Sequence, residues 1–137
     1  MAAVLASESV CCFEPGEQGG TYNGNALMTA VGAAVLAEVS APAFLAHVNA
    51  ASTRLWAGLE DLSARHGLGL VRGKGLLLAL DLGSARDSGG IAAKALALGL
   101  LVNAPRPDSL RFMPALTVAF DEIDQMLEIL DGVFSQS

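Results

Sequence analysis

Charge is scarce in this sequence: Asp, Glu, Lys and Arg together make up 16% of its 137 residues. Positive charge is scarcer still. The eight Lys and Arg are scattered and outnumbered by fourteen acidic residues, leaving a formal net charge of −6. Binding nucleic acid requires a basic face that neutralises phosphates, so no nucleic-acid partner is expected. Cysteine is confined to the adjacent Cys11 and Cys12. That spacing suits neither a metal nor an easy disulfide, so the pair reads as reduced thiols of a cytoplasmic protein, with no metal site expected. Long hydrophobic runs are missing as well. The longest uncharged helical run, Leu27 to Ala37, falls short of the ~20 residues that cross a bilayer, so no membrane span is expected. The apolar start, Met1 to Ser7, has no basic n-region or convincing cleavage site, and no signal peptide is read.

What is present is apolar. Hydrophobic residues reach 53% before the 15 glycines are counted, above the ~45–50% usual with glycine included. Such an excess goes into a deeply buried core or onto a partner surface. Residues 3–13 read as a buried strand with its approach, and the polar, glycine-rich stretch Glu14 to Asn25 follows. Ala26 to Ser40 is a helix apolar on nearly every side, the pattern of a buried or interdomain helix, and Pro42 interrupts it or marks its end. Val48, Ala51, Leu55, Leu59 and Leu62 share one face of the next helix, which Gly67 stops. Strands are expected at 68–71 and 76–82 around the turn 72–75, then at 100–103 and 110–113 around the proline-containing turn 104–108. A helix is expected over 87–98. A last amphipathic helix starts near Asp121, with Ile123, Met126, Leu127, Leu130 and Val133 or Phe134 inward. The order predicts an α+β domain with a small, mostly antiparallel sheet covered by helices on one face. His47 and His66 have no partner by spacing and read as surface or capping residues.

The stretch Gly16 to Asn25 opens onto a helix, and two readings are open for it. Glycines let backbone amides approach an anion and Thr21 adds a hydroxyl donor, which suits phosphate. Alternatively it is a plain glycine-rich connection. It is neither a Walker A loop nor a dinucleotide fingerprint.

Four segments carry a resemblance. Gly19 to Met28 (GGTYNGNALM) resembles the segment preceding the long interdomain helix of class-III (ornithine-type) pyridoxal-phosphate (PLP) dependent aminotransferases. Val71 to Leu76 (VRGKGL) resembles that family's R-G-x-G-L turn. Gly99 to Asp108 (GLLVNAPRPD) is similar to a segment of its bacterial acetylornithine branch. Ser109 to Leu116 (SLRFMPAL) resembles its L-R-F-x-P-x-L. Each is moderately specific; all four occur in the family's order, and they cover essentially the whole chain.

The resemblance implies the C-terminal small domain of a fold-type I aminotransferase at 46–137. The long interdomain helix would occupy 26–45, and 1–25 would be the end of the large PLP-binding domain. It implies that Thr21 holds the PLP phosphate by hydroxyl and backbone amide, reaching across a homodimer. It implies that Arg111 pairs with a substrate carboxylate, a task suited to a planar guanidinium fork; without the resemblance Arg111 reads as a half-buried ion pair. Asn25 matches a helix-capping asparagine. Gly20 stands where a substrate-contacting serine is common, and Ala26 where proline is. The parent reaction implied is transfer of the amino group of N-acetylornithine to 2-oxoglutarate. Succinylornithine or 4-aminobutyrate as donor, or a non-catalytic dimerising domain, are the alternatives. Transamination needs a lysine that carries the cofactor, and neither Lys74 nor Lys94 matches it. No catalytic residue is therefore assigned, and the chain is expected to be an inactive piece of a longer enzyme.

Overall fold

The computed structural model describes residues 2–83 and 86–136. Met1, Ser84, Ala85 and Ser137 lie outside the described residues, and with them the first residue of the apolar start. The chain separates into two compact units, Met1–Phe44 and Leu45–Ser137.

The first unit departs from the expected strand. Residues 3–13 hold only a single 3-10 turn, Glu8–Val10, and its apolar side chains stay exposed: Val4, Leu5, Val10 and Phe13 at 93, 98, 66 and 61%. Strand-forming side chains make a strand only where a neighbour completes the ladder, and no described residue pairs with this segment, so the backbone closes locally instead, with Val10 N donating to Ser7 O. Cys11 and Cys12 are free thiols and exposed. Helix α1, Ala26–Val39, forms where its apolar sequence predicts. The Asn25 side chain accepts from Met28 N at 3.0 Å, which satisfies one of the helix's orphan amides, as its position implied. No residue of α1 is buried. Helix α2, Pro42–His66, begins at Pro42 itself, because the proline's missing N–H costs nothing at a first helical position.

The second unit runs from Leu45, in the first turn of α2, through β1 Val71–Lys74, β2 Leu77–Asp81, α3 Ser88–Ala97, β3 Asn103–Arg106, β4 Ser109–Phe112 and α4 Phe120–Ser135. All strand pairs are antiparallel, in the order β1-β2-β4-β3. This is the α+β fold expected.

One face of the sheet makes the core. Leu78 and Leu80 of β2 with Leu110 and Phe112 of β4 alternate inward, at 1, 0, 0 and 5% exposure. They join Ala51, Leu55, Leu59 and Leu62 of α2, Ile91 and Ala95 of α3, and Ile123, Leu130, Val133 and Phe134 of α4 in one cluster. The α2 and α4 faces are those read from helical spacing, though Met126 and Leu127 are only half-buried. Gly67 ends α2 with φ +62°, the left-handed conformation expected of a glycine stop.

Two strand positions are corrected. Strand β1 begins at Val71, and the expected turn 72–75 is mostly strand, with Arg72 opposite Ala79 and Gly73 opposite Leu78. Residues 100–102 are not strand, because Leu100 N is taken by Ala95 O in the close of α3. Strand β3 instead occupies Asn103–Arg106, keeping only the last residue of the expected strand and running into the expected turn 104–108. Pro105 is tolerated because β3 is an edge strand with a register shift, the two settings where a missing ladder donor does least harm.

Among the described residues no single helix is long and apolar enough to cross a membrane, and no group of three or more His, Cys, Asp or Glu converges as metal ligands would.

Candidate functional site

Arg111 takes its place from the strand period. On β4, Leu110 and Phe112 point into the core, so Arg111 between them is turned to the opposite face, where it is exposed. β4 is an interior strand, and Arg111 sits opposite Ala79 of β2 on one side and Asn103 of β3 on the other. It borders a groove of about 820 Å³ that also takes in Asn103, Leu101, Met113 and Pro114 and, from the core face, Leu55, Phe112 and Ile123. Among the described residues no side chain pairs with the guanidinium. The ion pair that was the other reading of Arg111 is not found there. An exposed guanidinium on an interior strand, with no partner among the described residues, has its full donor fork available to a carboxylate. Glu122 also lines the groove, but its Oε2 accepts from Ala119 N at 2.8 Å.

Thr21 and Gly20 belong to the first unit. Thr21 is exposed at the start of the turn 21–24, closed by Asn23 N donating to Gly20 O at 2.9 Å. Among the described residues neither the hydroxyl nor the amide of Thr21 has a hydrogen-bond partner. Both donors are free for an anion such as a phosphate, which the phosphate end of the expected cofactor requires. A Cβ on Gly20 would lie 3.0 Å from Asn23 Nδ2, so a serine here would crowd the Asn23 carboxamide. The lysines lie on β1 (Lys74) and on α3 (Lys94), both exposed.

The histidines are a correction. His66 is bonded to a carboxylate, its Nε2 donating to Asp131 Oδ1 at 2.6 Å, and its side chain is only 13% exposed. Arg65 also pairs with Asp131, and Arg54 binds Asp124 through Nε and Nη2. These bonds join α2 to α4. His66 and then Arg65 hold the Asp131 carboxyl below its ordinary range by hydrogen bonding, and Arg54 does the same for Asp124. The partners are 65 and 70 residues apart, beyond any spacing rule. His47 Nε2 contacts Val118 O at 3.1 Å and its ring stacks on Phe120.

The residue that the sheet sets beside Arg111, Asn103, closes the expected strand 100–103, and its pairing with Arg111 is not a matter of sequence spacing.

Comparison with known proteins bears on all four motifs together. The family model "Aminotransferase class-III" matches residues 1–134. The chain is 52% identical over 134 residues to an acetylornithine aminotransferase of Ralstonia nicotianae, covering 95% of this chain and 33% of that protein. It is 51% identical over 138 residues to an acetylornithine aminotransferase 2 of Bordetella parapertussis, covering 98% and 35%. It thus spans about a third of the length of these relatives. Among solved structures, the N-acetylornithine aminotransferase of Stenotrophomonas maltophilia superposes with a TM-score of 0.75 at 31% identity, over 82% of this chain and 32% of that one. The Elizabethkingia anophelis acetylornithine aminotransferase gives a TM-score of 0.79 at 24% identity, over 91% and 34%, which shows the shared fold. Helices and a small antiparallel sheet in this order are the C-terminal domain of a fold-type I aminotransferase. The chain belongs to the class-III aminotransferase family.

Proposed function

We propose that this chain supplies the carboxylate-binding small domain and the phosphate-binding turn of a PLP-dependent aminotransferase. Its parent reaction would move the amino group of N-acetylornithine to 2-oxoglutarate. The observation that carries the reading is Arg111, an exposed guanidinium presented by an interior strand with no partner among the described residues. Both substrates carry a carboxylate that a guanidinium fork can grip in two parallel hydrogen bonds. Thr21 would donate its hydroxyl and amide to the cofactor phosphate; the freedom of both donors supports this assignment. By the family resemblance, Thr21 would serve the partner's site in a homodimer. PLP, when bound, supplies the electron sink that makes amino transfer possible. Neither Lys74 nor Lys94 corresponds to the family's cofactor-bearing lysine, so in this reading the chain's own residues bind and orient while proton transfer belongs to a lysine elsewhere in the parent.

The donor class is tested on the full-length parent with 2-oxoglutarate as acceptor and N-acetylornithine, succinylornithine and 4-aminobutyrate as competing donors. N-acetylornithine should give the highest kcat/KM. A higher value for either competitor replaces the assigned donor, and no transfer from any of the three removes the aminotransferase reading of the parent.

A further inference from the structure

The position opposite Arg111 is occupied by Asn103, and the two residues are direct cross-strand partners on β3 and β4. Partners in an antiparallel ladder share one face of the sheet, with Cβ atoms roughly 4.5–5.5 Å apart, so both side chains stand over the same patch. Both are exposed, and both residues border the groove. Among the described residues neither side chain has a hydrogen-bond partner. On the other flank of Arg111 stands Ala79, too short to compete for the same space.

The strand itself is built to hold this pairing. Asn103 pairs with Arg111 and Arg106 pairs with Ser109, so β3 spends three steps where β4 spends two. That extra residue is a bulge, a device that bends an edge strand and re-aims its side chains, and it carries Pro105. The ladder bond that proline cannot donate is given up beside the bulge, while the Asn103 position stays in register.

We infer that Asn103 is a second substrate-contacting residue, its carboxamide N–H donating to the carboxylate held by Arg111. The inference rests on the reading of Arg111 as the carboxylate clamp. A guanidinium fork covers one edge of a carboxylate and leaves lone pairs on the outer side of each oxygen. The Asn103 amide is placed to take one of them without adding charge. It thereby favours a carboxylate over an uncharged polar group of the same shape, and sets which way the carboxylate tilts on Arg111.

The test uses this chain, with glutarate as a carboxylate probe and glutaramide as its uncharged counterpart. Side-chain 15N–1H signals of Arg111 Nε and Asn103 Nδ2 are followed by NMR during titration. Both signals should move together and saturably with glutarate, giving one dissociation constant, and neither should move saturably with glutaramide. Asn103→Ala should weaken glutarate binding by about three- to tenfold, the range of one net hydrogen bond. Asn103→Asp, which pairs with Arg111 and repels the probe, should abolish it. If Asn103→Ala binds glutarate as the parent chain does while Arg111→Ala loses it, Asn103 is not a contact and the clamp stands. If Arg111→Ala also binds unchanged, or neither signal saturates, the clamp falls and the inference falls with it. The Asn103 signal in the unsubstituted chain reads the contact directly, independently of how any variant folds.

Discussion

Arg111 and Thr21 are assigned different tasks, so their substitution should separate two measurable quantities in the full-length parent. Arg111→Lys keeps the charge and loses the fork, which should lower kcat/KM by about ten- to a hundredfold. Arg111→Ala should cost more. Both should leave cofactor content unchanged, because the phosphate is held elsewhere. Thr21→Ala should instead lower PLP content first, read by cofactor absorbance after dialysis, with kcat/KM recovering at high added PLP. If Arg111→Ala strips the cofactor while Thr21→Ala is silent, both assignments are wrong. The roles proposed for Arg111 and Thr21 come from motifs that stand in the sequence and from the family they resemble, whereas the pairing of Asn103 with Arg111 depends on a register that only the folded sheet defines.

Elements show the same division between what is local and what is paired. The R-G-x-G-L segment is explained by the hairpin it makes. Gly73, at φ +138°, lies so close to β2 that a Cβ would come within 2.1 Å of Leu77 O and 2.9 Å of Leu78 Cα. Both are backbone atoms that cannot swing away. Gly75, at φ +58°, has nothing within 4 Å of its Cβ position, so only its left-handed conformation resists a side chain. Gly75→Ala should therefore cost about 1 kcal/mol. Gly73→Ala should cost about 2 kcal/mol or more, since strain and overpacking add; urea denaturation of the two variants measures the difference. Equal costs would remove close approach as the reason for Gly73. The α2 and α4 faces were legible from apolar spacing, but the bonds between these helices join residues far apart in sequence. Their consequence is a pH dependence. The Asp131 and Asp124 carboxyls are held below the ordinary aspartate value of about 3.9. A carboxyl depressed in the folded state stabilises it fully above that ordinary value, and the stabilisation is lost as pH falls from there through the lower folded-state value. The melting temperature should thus drop between about pH 5 and pH 3, and Asp131→Asn should be less stable at pH 7 and less sensitive across that interval. An unchanged acid slope in Asp131→Asn would show that the carboxyl is not responsible.

At the scale of the whole molecule the apolar excess is divided unevenly. The second unit gathers a buried cluster from α2, the sheet, α3 and α4, whereas α1 buries none of its residues. Leu27, Val31 and Val35 recur every fourth residue, with Met28 and Leu36 beside them, and their exposures are 68, 51, 55, 42 and 65%. No charge interrupts the helix before Glu38. A stripe this continuous is costly to leave in water, at roughly 25 cal/mol for each square ångström of apolar surface, and large exposed apolar patches mark places where proteins associate. A second copy of the chain offers the same stripe, and an isologous pairing of two such helices covers both at once. The chain should therefore sediment as a dimer or larger species at micromolar concentration. Introducing charge into the stripe with Val31→Glu and Val35→Glu together should return it to monomer. That change should leave the second unit's chemical denaturation unaltered, because α1 contributes nothing to its core. A monomer before substitution, at concentrations up to about a hundred micromolar, would mean that the stripe is not a self-association surface.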